Sequence, residues 1–101
     1  MPHEVGYSPR ARQDLIDLYL YIAEREGDRM AIAYSTRIET FCEKLMLFPE
    51  RGHRRDDLEA GLRIIGFERR VTIAFHVTAE QVVIDRILYG GRSLEDSYDE
   101  D

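Results

Sequence analysis

The chain has 101 residues, 44% of them hydrophobic, and a single cysteine. That length suffices for one domain with one core and excludes two, and the hydrophobic fraction excludes a disordered chain. No apolar run approaches the roughly 18 residues of a membrane helix, no secretory signal opens the chain, and Cys42 cannot form an internal disulfide, so we expect a cytoplasmic protein. The net charge of −6, from 14 basic and 20 acidic residues, opposes direct binding to nucleic acid.

A short strand is predicted over residues 3–7, followed by the signals of a helix. Ser8 is a good N-cap, Pro9 suits the first helical position because it has no N–H to leave unpaired, and Gly27 can stop the helix after Glu26. The apolar residues form an arc of roughly 200°, twice what packing on one surface requires. They are Ala11, Leu15, Ile16, Leu18, Tyr19, Leu20, Ile22 and Ala23, whereas the remaining arc is polar and includes Asp14. We therefore expect this helix either to lie between two layers or to show an apolar edge to a partner.

A second helix is predicted from Arg29 to about Phe48, with Asp28 as its cap and Pro49 as its stop. Its apolar residues lie within a narrow arc, which is typical of a helix packed on one surface. They are Met30, Tyr34, Ile38, Phe41, Leu45 and Phe48. The short connection at Gly27 makes the two helices a helical hairpin.

Three strands are predicted after a polar loop, over residues 62–67, 71–77 and 82–88. The middle strand alternates apolar and polar residues as a half-buried strand does, and the short connections indicate antiparallel hairpins. The order strand, helix, helix, strand, strand, strand predicts a two-layer α+β fold, with the hairpin on one face of a mainly antiparallel four-stranded sheet. The other face of the sheet lacks cover within the chain, so we expect a partner there or at the first helix.

One domain is expected over residues 1–92, and residues 93–101 are expected to form an acidic tail. The tail holds five acids and no base, namely Glu95, Asp96, Asp99, Glu100 and Asp101. A frayed, solubilising end is the simplest interpretation of such a segment.

Several stretches, in this order along the chain, resemble the ParE toxins of the RelE/ParE superfamily of type II toxin–antitoxin systems. They are Tyr7-Ser8-Pro9 with Ala11 and Asp14-Leu15, Leu18-Tyr19 with Tyr21-Ile22-Ala23, Ala33-Tyr34, Leu45 with Phe48-Pro49 and Gly52, Asp57-Leu58, Gly61-Leu62-Arg63, Val82-Val83-Ile84, Arg86-Ile87-Leu88 and Gly90-Gly91-Arg92. The resemblance implies a toxin that a ParD-type antitoxin holds inactive, with DNA gyrase as its target. Relatives in the RelE branch instead cut mRNA on the ribosome.

Candidate contact residues follow from this resemblance and from the surplus apolar surface. For the antitoxin they are Leu15, Leu18, Tyr19, Ile22 and Ala23 on the first helix, with Arg63 and His76 on the open face of the sheet. Some of the helix residues must instead belong to the core. For the target they are Arg92 and Leu94, which follow the last strand.

Two alternatives remain open at this stage. A ribosome-dependent mRNA endonuclease would need a general base, a general acid and cations, and Arg63, His76 and Arg86 are the candidates. A chain of the same fold without a target would serve only to bind an antitoxin. Otherwise we expect no catalytic residue, no metal ligand set and no cofactor, because the cysteine and histidines show no ligand spacing and no phosphate-binding loop is present.

Overall fold

The computed structural model describes residues 4–90 and 92–98. His3, Gly91 and the last three acids of the tail, which enter the expectations above, lie outside this part of the chain. The elements are β1 (Glu4–Tyr7), α1 (Pro9–Glu26), α2 (Asp28–Lys44), β2 (His53–Arg54), β3 (Arg63–Phe67), β4 (Val71–Val77), β5 (Gln81–Tyr89) and α3 (Leu94–Tyr98). The predicted α+β hairpin-on-sheet fold is confirmed.

The start of α1 is fixed to the sheet by its cap residue. The Ser8 hydroxyl accepts a hydrogen bond from the Ala11 amide at 3.0 Å and donates one to the Asp85 carbonyl at 2.9 Å. Pro9 occupies the first helical position, where a missing N–H costs nothing. Gly27 ends the helix with a φ of 95°, a conformation that glycine adopts without strain. The predicted bounds of α1 are therefore correct.

α2 ends four residues earlier than predicted, at Lys44. Beyond it the backbone tightens into three successive i→i+3 hydrogen bonds, which Leu45, Met46 and Leu47 donate. The tightening keeps Leu45 buried but turns Phe48 outward, where it is 63% exposed. The expectation that Phe48 belongs to the buried stripe of the helix was wrong, because the helical period no longer holds at that position.

The sheet has five strands in the order β1-β5-β4-β3-β2, one more than predicted. The additional strand is the two-residue β2, which pairs antiparallel with the beginning of β3. Among the described strands, β1 is the one that pairs parallel, and its neighbour is β5. The chain forms the hairpin and three further strands before β5 pairs with it. A bulge interrupts the pairing of β4 and β5 at Asp85, between the pairs Ala74–Arg86 and Phe75–Ile84.

The main core lies between the hairpin and the sheet. Its fully buried members are Ala11, Ala31, Ile38, Cys42, Leu45, Ile73, Phe75, Val82 and Ile84. A smaller cluster covers the opposite face of the sheet, where Leu62, Ala74, Leu88 and Leu94 pack with Leu58, Ile64 and Tyr98. That face was expected to lack cover within the chain. This was wrong for the part that α3 and the loop between β2 and β3 cover. Sequence periodicity did not reveal this cover, because both elements are short and irregular.

Candidate partner-binding surfaces

An apolar patch on the outer side of the helical hairpin is open to solvent. We call it the hairpin patch and define it by Leu15, Ile16, Tyr19 and Leu20 of α1, together with Ile32 of α2, which shares a helix face with the cavity-lining residues Ser35 and Glu39 at a spacing of i, i+3 and i+7. Ile16, Leu20 and Ile32 are 52%, 58% and 56% exposed, and the α1 residues line a shallow cavity of about 280 Å³ with Ser35 and Glu39. Contiguous exposed aliphatic side chains of this kind mark a surface that another molecule covers.

The predicted antitoxin residues of α1 divide between this patch and the core. Leu15, Tyr19 and Ala23 are partly buried, and the first two belong to the hairpin patch. Leu18 and Ile22 are only 3% and 4% exposed and pack in the main core. Their assignment as contact residues is therefore corrected, because their side chains face the sheet. Ile16 and Leu20 take their place on the exposed edge.

Arg63 and His76 do not share a face of the sheet, contrary to expectation. Arg63 is paired with Phe75, and directly opposite residues of antiparallel strands project to the same side. Arg63 therefore lies on the hairpin side, where its guanidinium donates to the Glu50 carbonyl at 2.8 Å. His76 follows Phe75 and projects to the opposite side. The two side chains cannot act on one ligand in this arrangement.

His76 forms a close pair with Asp85, the bulged residue of β5. Its Nδ1 lies 2.8 Å from Asp85 Oδ2, and the Asp85 side chain is 18% exposed. Burial raises the pKa of Asp85 against the lowering influence of His76. Nearby, burial together with the charges of Asp85 and Glu59 raises the pKa of Tyr98 to about 12, and the Tyr98 hydroxyl is buried without a hydrogen-bond partner among the described residues.

Asp14 of α1 is a buried carboxylate that anchors the helix to β5. Its side chain is 4% exposed and accepts two hydrogen bonds from the Arg86 guanidinium, at 2.8 and 3.1 Å, and one from the Ile87 amide at 2.9 Å. β1 does not extend as far as Ile87, so Asp14 takes the place of a missing strand partner. Arg86 is only 12% exposed, and two of its guanidinium N–H groups are bound to this carboxylate.

Arg92 lies beside the same acid but is held loosely. Its nitrogens are 3.6 Å from Asp14 and 3.8 Å from Asp17, and its side chain is 51% exposed. The assignment of Arg92 to the target contact stays a prediction, and its side chain is accessible to a partner. Leu94 is not, because it is 8% exposed and packs against Leu62 and Leu88 beneath α3. The predicted target contact by Leu94 is corrected on this ground.

The segment expected to be a frayed acidic end is ordered where the structure describes it. Residues 94–98 form α3, and Glu95 reaches Arg55 at 3.2 Å. Arg55 also makes a two-bonded pair with Asp57, which lowers the pKa of that carboxyl. Apolar contact through Leu94 and Tyr98 thus sets the position of this segment, since exposed ion pairs contribute little.

Residues 4–90 and 92–98 contain neither a cluster of metal ligands nor a membrane-spanning helix. No cluster of three or more His, Cys, Asp or Glu side chains is placed to bind a metal ion. No helix in this range has both the length and the apolar character that a membrane span requires. The buried thiol of Cys42 has its pKa raised to about 12, chiefly by burial.

Comparison with known proteins identifies the family to which this chain belongs. Residues 5–94 match the family model of the ParE toxin of type II toxin–antitoxin systems, parDE. The chain belongs to the ParE toxin family. It is 35% identical over 81 residues to Toxin ParE3 of Caulobacter vibrioides, a match that covers 80% of each chain. Its fold is similar to that of a chain in the chromosomal ParDE system from P. aeruginosa, with a TM-score of 0.74, 22% identity, and coverage of 86% and 95% of the two chains.

Membership of the ParE family makes this chain a type II toxin, and the resemblance drawn from its motifs is confirmed. The hairpin patch and Arg92 are thus surfaces of a protein whose system includes an antitoxin. The sequence reasoning missed Asp14, although a signal was present. Ala11, Asp14, Leu18 and Ile22 recur at helical spacing, and an acid within such a buried row indicates a carboxylate that meets a buried cation.

Proposed function

We propose that this ParE-family toxin acts in the cytoplasm by binding DNA gyrase, and that a ParD-type antitoxin silences it by covering the hairpin patch. The observation that carries the antitoxin proposal is the exposure of Ile16, Leu20 and Ile32 on one side of the hairpin. An amphipathic helix from a partner would fill a groove of this size and character. The partner would bury the three side chains that this fold leaves in water.

Action by binding rather than catalysis is supported by the placement of the three nuclease candidates. Arg63 and His76 project from opposite faces of the sheet, and Arg86 is engaged by Asp14. Stabilising a developing phosphate charge needs cations beside the general base, aimed at one point. The three candidates do not converge on such a point, so we propose that the toxin has no catalytic residue.

The second candidate function, mRNA cleavage, has one specific observation in its favour. His76 is oriented by Asp85 at 2.8 Å, an arrangement that can hold an imidazole ready as a general base, with the Tyr98 hydroxyl nearby. A nuclease of this kind would cleave labelled mRNA in a translating extract and would lose that activity on His76→Gln. A gyrase-directed toxin would instead abolish supercoiling and leave the mRNA intact.

The antitoxin surface is tested with substitutions that change only exposed side chains. We expect Ile16→Gln and Leu20→Gln each to weaken binding of the cognate antitoxin at least roughly tenfold in calorimetric titration, because buried aliphatic anchors carry much of such an interface. Leu47→Gln is the matched control, since Leu47 is 68% exposed and lies outside the patch. Equal affinity of all three variants and the parent protein would refute the assignment of the patch.

A further inference from the structure

A second recess runs along the other side of the hairpin, where α2 meets the ends of the strands. We call it the edge groove. It is a chain of three cavities of about 230, 220 and 310 Å³, of which the first two share Tyr89 and the last two share Arg37 and Glu68. One stripe of α2 lines its wall, namely Met30, Tyr34, Arg37, Phe41 and Lys44. At 1.5 Å per residue this wall is about 21 Å long, enough for about six residues of extended peptide.

A continuous row of aromatic rings runs along the edge groove, and two of these rings belong to the α2 wall. Tyr21, Tyr89, Tyr34, Phe67 and Phe41 follow one another with ring centroids 5.0, 6.4, 5.8 and 5.1 Å apart. The Tyr34 hydroxyl is buried and has no hydrogen-bond partner among the described residues. Such a row offers a wide contact area with little conformational entropy to lose. Tyrosine is among the residues that dominate binding energy at protein interfaces.

Arginines lie over the rings at three points of the row. Guanidinium carbons lie 3.7 Å from the Tyr21 centroid, 4.9 Å from that of Tyr34 and 5.6 Å from that of Phe41. The cations are Arg25, Arg37 and Arg51 in that order. Aromatic rings beneath guanidinium groups combine apolar contact with positive charge, which suits a ligand that carries both apolar and acidic groups.

Positive charge is in excess along the groove once its internal pairs are set aside. Asp14 accepts hydrogen bonds from Arg86, and Asp17 lies near Arg92. Glu68 accepts two hydrogen bonds from the Arg37 guanidinium. Of the other charged groups among the described residues, Lys44, Arg70 and Glu26 line the groove, and Arg51 lies over the Phe41 ring at its end. Within residues 4–90 and 92–98, no carboxylate lies within ion-pair distance of Lys44 or Arg51. This excess stands out in a chain whose net charge is −6.

A strained turn forms the lip of the groove. Glu68 and Arg69 join β3 to β4 with φ angles of 49° and 65°, the left-handed region that favours glycine. Each non-glycine residue there costs stability, and such strain concentrates at functional surfaces. The turn places the Glu68 carboxylate against Arg37, whose guanidinium donates two hydrogen bonds to it at 2.9 and 3.0 Å.

We propose that the edge groove is the docking site for the toxin's target protein, and that it takes an acidic segment bearing aliphatic or aromatic side chains. The groove is separate from the hairpin patch, because α2 presents Ser35 and Glu39 to the patch and a different stripe to the groove. It also reaches Arg92, which lines its first cavity. Its mixture of tyrosine, arginine and polar rim is typical of an interface that forms and dissociates, whereas the hairpin patch is purely aliphatic at its exposed centre.

The inference rests on the proposed function for the identity of the target, and the experiment separates the two. Lys44→Glu and Arg51→Glu reverse groove charges, and Arg54→Glu is the control, an exposed arginine on β2 that pairs with Asp56 and lines none of the three cavities. Three measurements are made on each purified variant or expressing strain: gyrase supercoiling, growth arrest on induction, and affinity for the cognate antitoxin. We expect the two groove variants to need roughly tenfold more protein for inhibition and to arrest growth less, with antitoxin affinity unchanged. Arg54→Glu should match the parent protein in all three.

The outcomes divide cleanly between the two proposals. If the parent protein arrests growth without inhibiting gyrase, the proposal that gyrase is the target is wrong. The proposal for the edge groove is then decided by whether Lys44→Glu and Arg51→Glu still arrest growth. Undiminished growth arrest by Lys44→Glu and Arg51→Glu would overturn the groove assignment. So would a loss of antitoxin affinity in the same variants, because the groove would then belong to the antitoxin interface. A 15-residue single-stranded oligonucleotide that binds the parent protein, but neither groove variant, would overturn the acidic-segment assignment.

Discussion

Removing the Asp14 carboxylate should be among the most damaging single changes in this protein. Asp14→Ala leaves the Arg86 guanidinium, 12% exposed, without its two charge-assisted hydrogen bonds, and it leaves the Ile87 amide without its acceptor. Breaking a buried pair from one side costs about 3–5 kcal/mol. We therefore expect a loss of about 4 kcal/mol, a large part of the roughly 5–15 kcal/mol that stabilises a domain of this size.

The assay is urea unfolding followed by circular dichroism, with the free energy extrapolated to water. Asp14→Asn keeps an oxygen that can accept from Ile87 but removes the charge, so it should cost about 2 kcal/mol, less than alanine. The double substitution Asp14→Leu with Arg86→Leu removes both charges and should cost less than Asp14→Ala alone. A loss below about 1 kcal/mol for Asp14→Ala, or strictly additive effects in a double-mutant cycle, would show that the two side chains are not coupled as their geometry requires.

Three further changes test other features of the fold. Arg69→Gly relieves a backbone with φ of 65° and should raise the free energy of unfolding by about 0.5–1 kcal/mol in the same urea assay; a destabilised variant would contradict the strain. Cys42, whose thiol pKa is raised to about 12, should react with iodoacetamide at pH 8 only after unfolding in urea, and equal rates with and without urea would be incompatible with its burial. Because burial raises the pKa of Asp85 in the fold, its contribution to stability is present below its unfolded pKa and is lost as the pH rises through the folded value. The free energy of unfolding of the parent protein minus that of Asp85→Asn should therefore be larger at pH 4 than at pH 7. Paired unfolding curves at the two pH values measure this difference, and a difference that does not change with pH would exclude the effect.

Local chemistry in the sequence was sufficient to predict β1, α1, β3, β4 and β5 and most of α2. Ser8, Pro9 and Gly27 bound α1 where capping rules place them, and the alternation of β4 indicated that Val71, Ile73 and Phe75 share the face that packs in the main core. What could not be predicted are features that depend on distant parts of the chain. β2 is two residues long and exists only because β3 lies beside it. The bulge at Asp85 likewise arises from strand pairing, since nothing in the local sequence marks it.

The partner-binding surfaces were predicted less completely, for a related reason. A helix with a wide apolar arc indicates that some of its residues meet a partner, but it does not reveal which edge packs on the sheet. The sheet packs against Leu18 and Ile22, so the free edge is the one that carries Ile16 and Leu20. The edge groove was not predicted, because its rings come from α1, α2, β3 and β5 and meet only when the chain is folded.

Pairing of β1 with β5 ties assembly of the sheet to synthesis of the last strand that the structure describes. Among the described residues, Glu4 to Tyr7 pairs in the sheet with Gln81 to Ile84 alone, across a separation of 77 residues along the chain. The hairpin patch comes from a continuous stretch of about 20 residues near the beginning and needs no such distant closure. A chain cut after residue 80 should therefore remain unfolded by circular dichroism and fail to arrest growth. During synthesis, the residues of the hairpin emerge well before those of β5. All residues of the surface that we assign to the antitoxin are therefore synthesised before the toxin can complete its fold.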